Sequence, residues 1–177
     1  MDKKLEPFLT ADKIDALNQK IAERINQDYA HLAKDKRELF VIVTLKGAMF
    51  FASDLLKKIT VPLRLDFVRL ASYGSGTKSS GTVRILKDIE STPEGQDVLV
   101  LDEIIDSGRT LHFLFDRLNA QNPRSLKLCA LLSKPSRREI EVKVDYLGQE
   151  VEDKFLVGYG LDFNEQYRNL KDIFAVV

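Results

Sequence analysis

The sequence predicts an α/β protein with a mainly parallel central sheet flanked by helices, and three observations carry that prediction. Apolar runs of strand length recur at residues 39–45, 98–101 and 126–132. Runs of this kind suit strands that are buried on both faces, as in a parallel sheet covered by helices. After two of them the apolar period lengthens to that of a helix. Residues 48–59 follow the first, and Leu111, Phe113, Leu114, Phe115 and Leu118 follow the second. Turn sequences at Pro93-Glu94-Gly95 and Asn122-Pro123-Arg124-Ser125 punctuate this alternation of strand and helix, which is the pattern that builds a layered α/β fold.

Taken in order, residues 10–34 set Ile14, Leu17, Ile21, Ala22 and Ile25 at helical spacing, with Thr10 a candidate N-cap. Residues 39–45 read as a buried strand that Lys46-Gly47 turns into the next helix. Residues 62–70 alternate, with Leu63, Leu65, Phe67 and Leu70 assigned to one side of a second strand. Residues 72–81 are too rich in glycine and serine for a packed element and predict a loop, from which Val83 and Ile85 return as a strand. Cys129 lies inside the 126–132 run, so it reads as a small core residue and not a nucleophile. Val142, Val144 and Tyr146 alternate further on, and residues 173–177 are apolar enough for a final strand. The N-terminal helix and the chain after about residue 135 are expected to form a small hood over the strand ends. With no internal repeat, low-complexity tract or linker, residues 1–177 are expected to form a single domain.

Size and composition narrow the function. A chain of 177 residues buries roughly 70% of its unfolded surface without staples. Its 27 basic and 27 acidic residues balance, which argues against a dedicated nucleic-acid binder and its usual basic excess. One cysteine allows no internal disulfide, and His31 and His112 lack metal-ligand spacing. The first residues lack the apolar core of a signal peptide, and no apolar run approaches the ~20 residues of a membrane span. The chain is therefore expected to be cytoplasmic, with no membrane partner.

The most informative stretch is Val98-Leu99-Val100-Leu101-Asp102-Glu103-Ile104-Ile105-Asp106-Ser107-Gly108-Arg109-Thr110-Leu111. An apolar strand runs into three carboxylates, a tight turn and a helix. In a sheet of this class the ligand crevice lies outside the carboxyl ends of the strands. Ser107, Gly108, Arg109 and Thr110 would stand at a helix start, where free backbone N–H groups and hydroxyls cradle a phosphate. Two carboxylates beside such a cradle would repel it unless they serve another part of the ligand. The hydroxyls of a sugar fit, and so does a magnesium ion. The local chemistry is that of a sugar-phosphate site.

This stretch resembles the phosphoribosyl-diphosphate signature of the type I phosphoribosyltransferases. Four further segments are similar to the hypoxanthine-guanine branch of that family, and together they span most of residues 39–177. The resemblance implies the type I phosphoribosyltransferase fold and transfer of a 5-phosphoribosyl group from phosphoribosyl diphosphate to a 6-oxopurine in purine salvage, with Mg2+ as cofactor. It implies that Asp106 is the general base that handles the purine ring proton. Asp102 and Glu103 would face the ribose hydroxyls and metal, and Ile105, Ser107, Gly108, Arg109 and Thr110 would line the phosphoribosyl site. Leu45-Lys46-Gly47 corresponds to a loop that binds diphosphate through Lys46, Gly47 and an unusual peptide bond at the Leu-Lys junction. Ser72-Tyr73 opens a lid that excludes water from an oxocarbenium-like centre, a role with a clear physical reason. Lys134, in Leu132-Ser133-Lys134-Pro135, would donate to the purine 6-oxygen, which favours a 6-oxo base over a 6-amino one. In the segment from Asp153 to Arg168, Phe155 would stack on the base and Leu156 would meet its edge. Asp162 would hold the metal, and Arg168 would contact diphosphate. Arg137 and Arg138 are expected to be solvated or at an interface. The family is commonly dimeric or tetrameric.

One departure stands out: the acidic pair usually runs Glu-Asp, and here it runs Asp102-Glu103. Rival readings stay open at this point. One is a nucleic-acid-binding regulator on the same fold, and another is an enzyme acting on xanthine or a pyrimidine. A Walker-type nucleotide binder fares worst, because no G-x-x-x-x-G-K-[ST] spacing exists.

Overall fold

The computed structural model describes residues 4–73 and 82–177. A six-stranded sheet is its centre, in the order β4-β3-β2-β5-β6-β7. Strands β2 (Leu39–Leu45), β3 (Leu63–Tyr73), β5 (Asp97–Ile105), β6 (Ser125–Ser133) and β7 (Tyr146–Glu150) run parallel, and β4 (Thr82–Lys87) closes one edge antiparallel to β3. The apolar runs form the middle because both of their faces are covered. Leu39, Val41 and Val43 of β2, with Leu99 and Leu101 of β5, pack against α1 (Ala11–Asp28) and α3 (Ala48–Leu56). Phe40 and Ile42, with Val98 and Val100, face the opposite layer, where α4 (Arg109–Asn119) contributes Leu111, Leu114 and Leu118. Period-two alternation therefore sorts each strand onto two cores, and burial of each large side chain contributes about 1.5–3 kcal/mol.

A second, three-stranded sheet forms the hood, in the order β1-β9-β8. Its strands are β1 (Leu5–Leu9), β8 (Leu156–Val157) and β9 (Ile173–Val176), all antiparallel. The two ends of the described chain are thus stitched into one sheet, with Leu5 opposite Val176. The hood does not have a core of its own. Leu156, Tyr159, Leu161, Ile173 and Ala175 belong to the same buried cluster as the residues of α1 and α3.

Several expectations need correction. Helix α1 covers the main sheet beside α3 and is not part of the hood. The single helix expected over residues 10–34 is divided, with α2 (His31–Lys34) following a turn at Tyr29-Ala30. Tyr29 and Leu32 are both buried there, and satisfying both faces bends the chain. Thr10 occupies the N-cap position without a capping side-chain bond. Asp172 caps instead, its Oδ1 accepting from the Ala11 amide at 2.6 Å. Strand β1 has no clear period-two signal and contains Pro7, which an edge strand tolerates. Leu70 packs with the α4-side core beside Val68 while Leu63 and Phe67 pack on the other, because an odd number of positions separates Leu70 from Phe67 and strand side chains alternate faces. Leu65 remains exposed. Val142 and Val144 pack on the α4-side core ahead of β7, outside any strand. Cys129 is fully buried as expected. No helix among the described residues is long and apolar enough to cross a membrane.

Candidate active site

The connection from β2 runs through α3 outward to β3, whereas that from β5 runs through α4 the other way to β6. The sheet order therefore reverses between β2 and β5, and their carboxyl ends flank a crevice, where open α/β sheets bind ligands. Two loops meet there, Leu45-Lys46-Gly47 after β2 and Asp106-Ser107-Gly108 after β5. The Leu45–Lys46 peptide bond is cis, which matches the unusual bond expected at that junction.

One cavity, of about 200 Å3, is lined by Thr44, Leu45, Leu70, residues 102–108, Thr110 and Leu111. Its floor is the start of α4. Gly108 adopts φ +84°, in the left-handed region, and a Cβ there would lie 2.2 Å from the Ile140 carbonyl oxygen. Only glycine fits. The turn is braced from outside: the Ser107 carbonyl accepts from the amides of Glu139 and Ile140 at 2.9 and 3.0 Å. Arg138 donates to the Asp106 carbonyl at 2.7 Å and to Ser133 Oγ at 2.7 Å. Arg138, expected to be solvated or at an interface, is half-buried and braces the turn. The Arg109 guanidinium pairs with Glu139, and the Arg109 amide donates to Ser107 Oγ at 3.4 Å. Ile105 borders the cavity, yet its side chain belongs to the α4-side core.

Asp102 and Glu103 stand at the end of β5. Thr44 Oγ1 and the Glu103 amide donate to Asp102 Oδ1 at 2.8 and 3.0 Å. Burial raises the Asp102 carboxyl above its usual value. Burial and the adjacent Asp102 raise that of Glu103 well above its own. Two carboxylates in one desolvated corner favour a proton or a cation between them.

A second cavity, of about 450 Å3, opens beside the first and shares Glu103, Ile104 and Asp106 with it. Lys134, Arg137, Asp153, Phe155, Leu156, Leu161 and Asp162 complete its wall. Lys134 is 8% exposed, and its Nζ donates to the Lys154 carbonyl at 2.6 Å with Asp153 at 3.6 Å. Phe155 is 52% exposed, far more than its neighbour Leu156, and meets Phe163 edge-on at 5.6 Å. A large aromatic ring exposed on the wall of a cavity is suited to a planar ligand. Asp106 forms part of the boundary between the two cavities, and Arg137 Nε donates to its Oδ1 at 3.2 Å. Arg137 also reaches Asp153 at 3.8 Å, while its side chain stays exposed to solvent as expected.

The third group lies where the hood meets the β2 loop. Lys46 pairs with Glu165 at 2.5 Å, and Arg168 pairs with both Glu165 and Asp162 at 3.2 and 2.9 Å. Lys46 beside Glu165 holds that carboxyl below its usual range. Among the described residues, no three acidic, histidine or cysteine side chains converge on a common metal position. Ser72 and Tyr73 end β3, paired through the backbone to Val83 and Thr82. The rest of the expected lid, residues 74–81, lies outside the described residues.

The structure thus brings the β5 signature, Lys134 and the 155–162 segment to one crevice, and Lys46 with Arg168 to its rim. Thr44, Arg137, Arg138, Asp153 and Glu165 were missed by sequence reasoning. Thr44 left a faint mark, a hydroxyl near the end of an apolar run. The others reach the site by tertiary contact, Asp153 with Lys134 and Arg137 and the rest across 31 positions or more.

A strand-end crevice with a phosphate cradle, an acidic corner and an adjoining aromatic cavity defines an α/β enzyme for a phosphorylated, ring-bearing ligand. Residues 9–164 match the phosphoribosyl transferase domain, and the chain belongs to that family, as a pentosyltransferase. It is 45% identical over 167 residues to the hypoxanthine-guanine phosphoribosyltransferase of Mycobacterium tuberculosis H37Rv, covering 94% of this chain and 83% of that one. The protein of the same description from Bacillus subtilis 168 is 42% identical over 161 residues, covering 90% and 89%. A crystal structure of a hypoxanthine-guanine phosphoribosyltransferase from Bacillus anthracis superposes with a TM-score of 0.90 at 39% identity, covering 99% of this chain and 100% of that one.

Proposed function

We propose that this enzyme transfers the 5-phosphoribosyl group of phosphoribosyl diphosphate to hypoxanthine or guanine, releasing diphosphate and giving the nucleoside monophosphate. One observation carries the reading: Asp106, Lys134 and Phe155 line a single cavity whose wall is shared with the α4 cradle. A purine stacked on Phe155 offers its 6-oxygen to the Lys134 ammonium. An amino group at position 6 offers that donor no acceptor. Asp106 takes the ring proton as the other imidazole nitrogen attacks the anomeric carbon. Arg137 gives up its bond to Asp106 as that proton arrives.

The 5′-phosphate lies on the amides and hydroxyls of Ser107, Gly108, Arg109 and Thr110 at the start of α4. Asp102 and Glu103 accept from the ribose hydroxyls. Leu156 meets the base edge, and Ser72 and Tyr73 shield the reacting carbon. Lys46, Gly47 and Arg168 grip the diphosphate and hold it as it leaves.

The donor set fits magnesium, which prefers one or two carboxylates plus substrate oxygens to an all-protein cage. Asp162 on one side, and Asp102 with Glu103 on the other, would each supply such carboxylates, since the three do not converge on one position. When bound, the ion would neutralise diphosphate charge and ease departure. The raised Glu103 carboxyl supports this fit, since it is a corner that gains from a cation. We further infer a cytoplasmic homo-oligomer, dimer or tetramer, that takes only small-molecule substrates.

The test is product formation from adenine, hypoxanthine, guanine and xanthine with phosphoribosyl diphosphate and magnesium. Turnover of the 6-oxopurines with none of adenine is expected. Efficient use of adenine would overturn the assignment of Lys134.

A further inference from the structure

Glu165 has no part in the scheme above, yet the structure spends unfavourable backbone on presenting it. Asn164, Glu165 and Tyr167 have φ of +51°, +64° and +73°. Residues with side chains avoid this left-handed region. The turn is held in that form by the Glu165 amide, which donates to Asp162 Oδ2 at 2.8 Å, and by a bridge between Phe163 and Gln166. Its product is a carboxylate with one oxygen 2.5 Å from Lys46 Nζ and the other 3.2 Å from Arg168. Both pairs lie near the surface, and exposed ion pairs contribute little to stability. Stability does not account for the arrangement. Charge does: with Asp162 also on Arg168, two cations meet two carboxylates, and the rim has no net positive charge to offer an incoming anion.

We propose that Glu165 is an internal stand-in for diphosphate. Its carboxylate holds Lys46 and Arg168 while no diphosphate is bound, yields them when phosphoribosyl diphosphate arrives, and reclaims them as the product diphosphate departs. This rests on the reading that Lys46 and Arg168 grip the diphosphate. Because Glu165 competes with substrate and product alike, it weakens both and speeds the exit of the product diphosphate. A group that only oriented the two cations would do the opposite and strengthen binding.

The test compares wild type with Glu165→Gln, an isosteric change at an exposed side chain. Inorganic diphosphate with magnesium is titrated by calorimetry, and steady-state kinetics are run in parallel. In the variant, the diphosphate Kd and the KM for phosphoribosyl diphosphate are expected to fall roughly three- to tenfold, from the loss of two exposed pairs. Product inhibition by diphosphate should tighten in step, and the KM for the purine should not move. In a Lys46→Ala background the effect of Glu165→Gln should shrink. Weaker or unchanged diphosphate binding in Glu165→Gln, beside a wild type that binds it, overturns the proposal alone. Lys46→Ala and Arg168→Ala variants that bind diphosphate as wild type does would instead remove the underlying reading, and the proposal with it.

Discussion

Gly47 and Gly160 touch backbone to backbone where the hood meets the β2 loop. A Cβ on Gly160 would stand 2.1 Å from the Gly47 carbonyl oxygen, and one on Gly47 would stand 2.0 Å from Glu103 Oε1. Gly160 also has φ +98°. Gly160→Ala combines left-handed strain with an overpacked contact and should cost about 2–5 kcal/mol, lowering Tm by roughly 5–15 °C. Thermal denaturation followed by circular dichroism is the measurement. An unaltered Tm would mean that the hood does not rest on this contact.

Asp106 is half-exposed at the edge of both cavities, so its replacement should leave the fold intact. Asp106→Asn is expected to lower kcat by roughly 10²–10⁴, the range for a lost general acid–base group. Its Tm should stay near that of wild type. Retained turnover would require another base for the ring proton.

The Lys134 ammonium is buried and already held by the Lys154 carbonyl, so it is set in place before any base arrives. Lys134→Met should reduce kcat/KM for hypoxanthine by about 10- to 150-fold, the loss of one charge-assisted hydrogen bond of 1.5–3 kcal/mol. The KM for phosphoribosyl diphosphate should change little. Equal losses for both substrates would point to a collapsed cavity instead.

The placement of the β5 signature was largely legible in the chain, and the reason is local. The β5 run and the turn after it encode strand, cradle and acids within fourteen consecutive residues. The strand, the cradle and the sugar-phosphate chemistry needed only spacing and the chemistry of a helix start, whereas the roles of Asp106 and Lys134 came from the family resemblance. The hood was harder. Strand β1 is five residues with a proline, β8 is two residues, and both exist because β9 lies between them. No local pattern announces a strand whose partner is about 170 residues away. The same limit hid Arg137, which reaches Asp106 across 31 positions, and Asp172, which caps a helix 161 residues before it.

The acidic pair makes stability depend on pH in a definite direction. Burial and Asp102 raise the Glu103 carboxyl well above its usual range, so the folded protein retains a proton that the unfolded chain has lost. Stability of the ligand-free protein should therefore fall as pH rises from the ordinary carboxylate range through the raised value. Glu103→Gln removes that dependence, and its Tm should exceed that of wild type on the alkaline side of this window. Parallel Tm-against-pH curves for the two proteins would contradict the assignment.

Cys129 lies in the middle of β6 with no exposed surface, and burial pushes its thiol up, away from the reactive thiolate. Native protein should resist a thiol reagent, with labelling that follows unfolding as denaturant is added. Rapid stoichiometric labelling under native conditions would show that β6 opens far more readily than its packing implies.

The core that joins the hood to α1 and α3 also limits how the hood can move. A lobe with its own interior can swing on a hinge, a motion of microseconds to milliseconds. Here such a swing would drag Leu156, Leu161 and Ile173 out from among Ile14, Ile21 and Phe51. The hood therefore contributes no slow gate. What turns over at its rim are single side chains, Arg137 and Glu165 among them, whose rotations belong to picoseconds and nanoseconds.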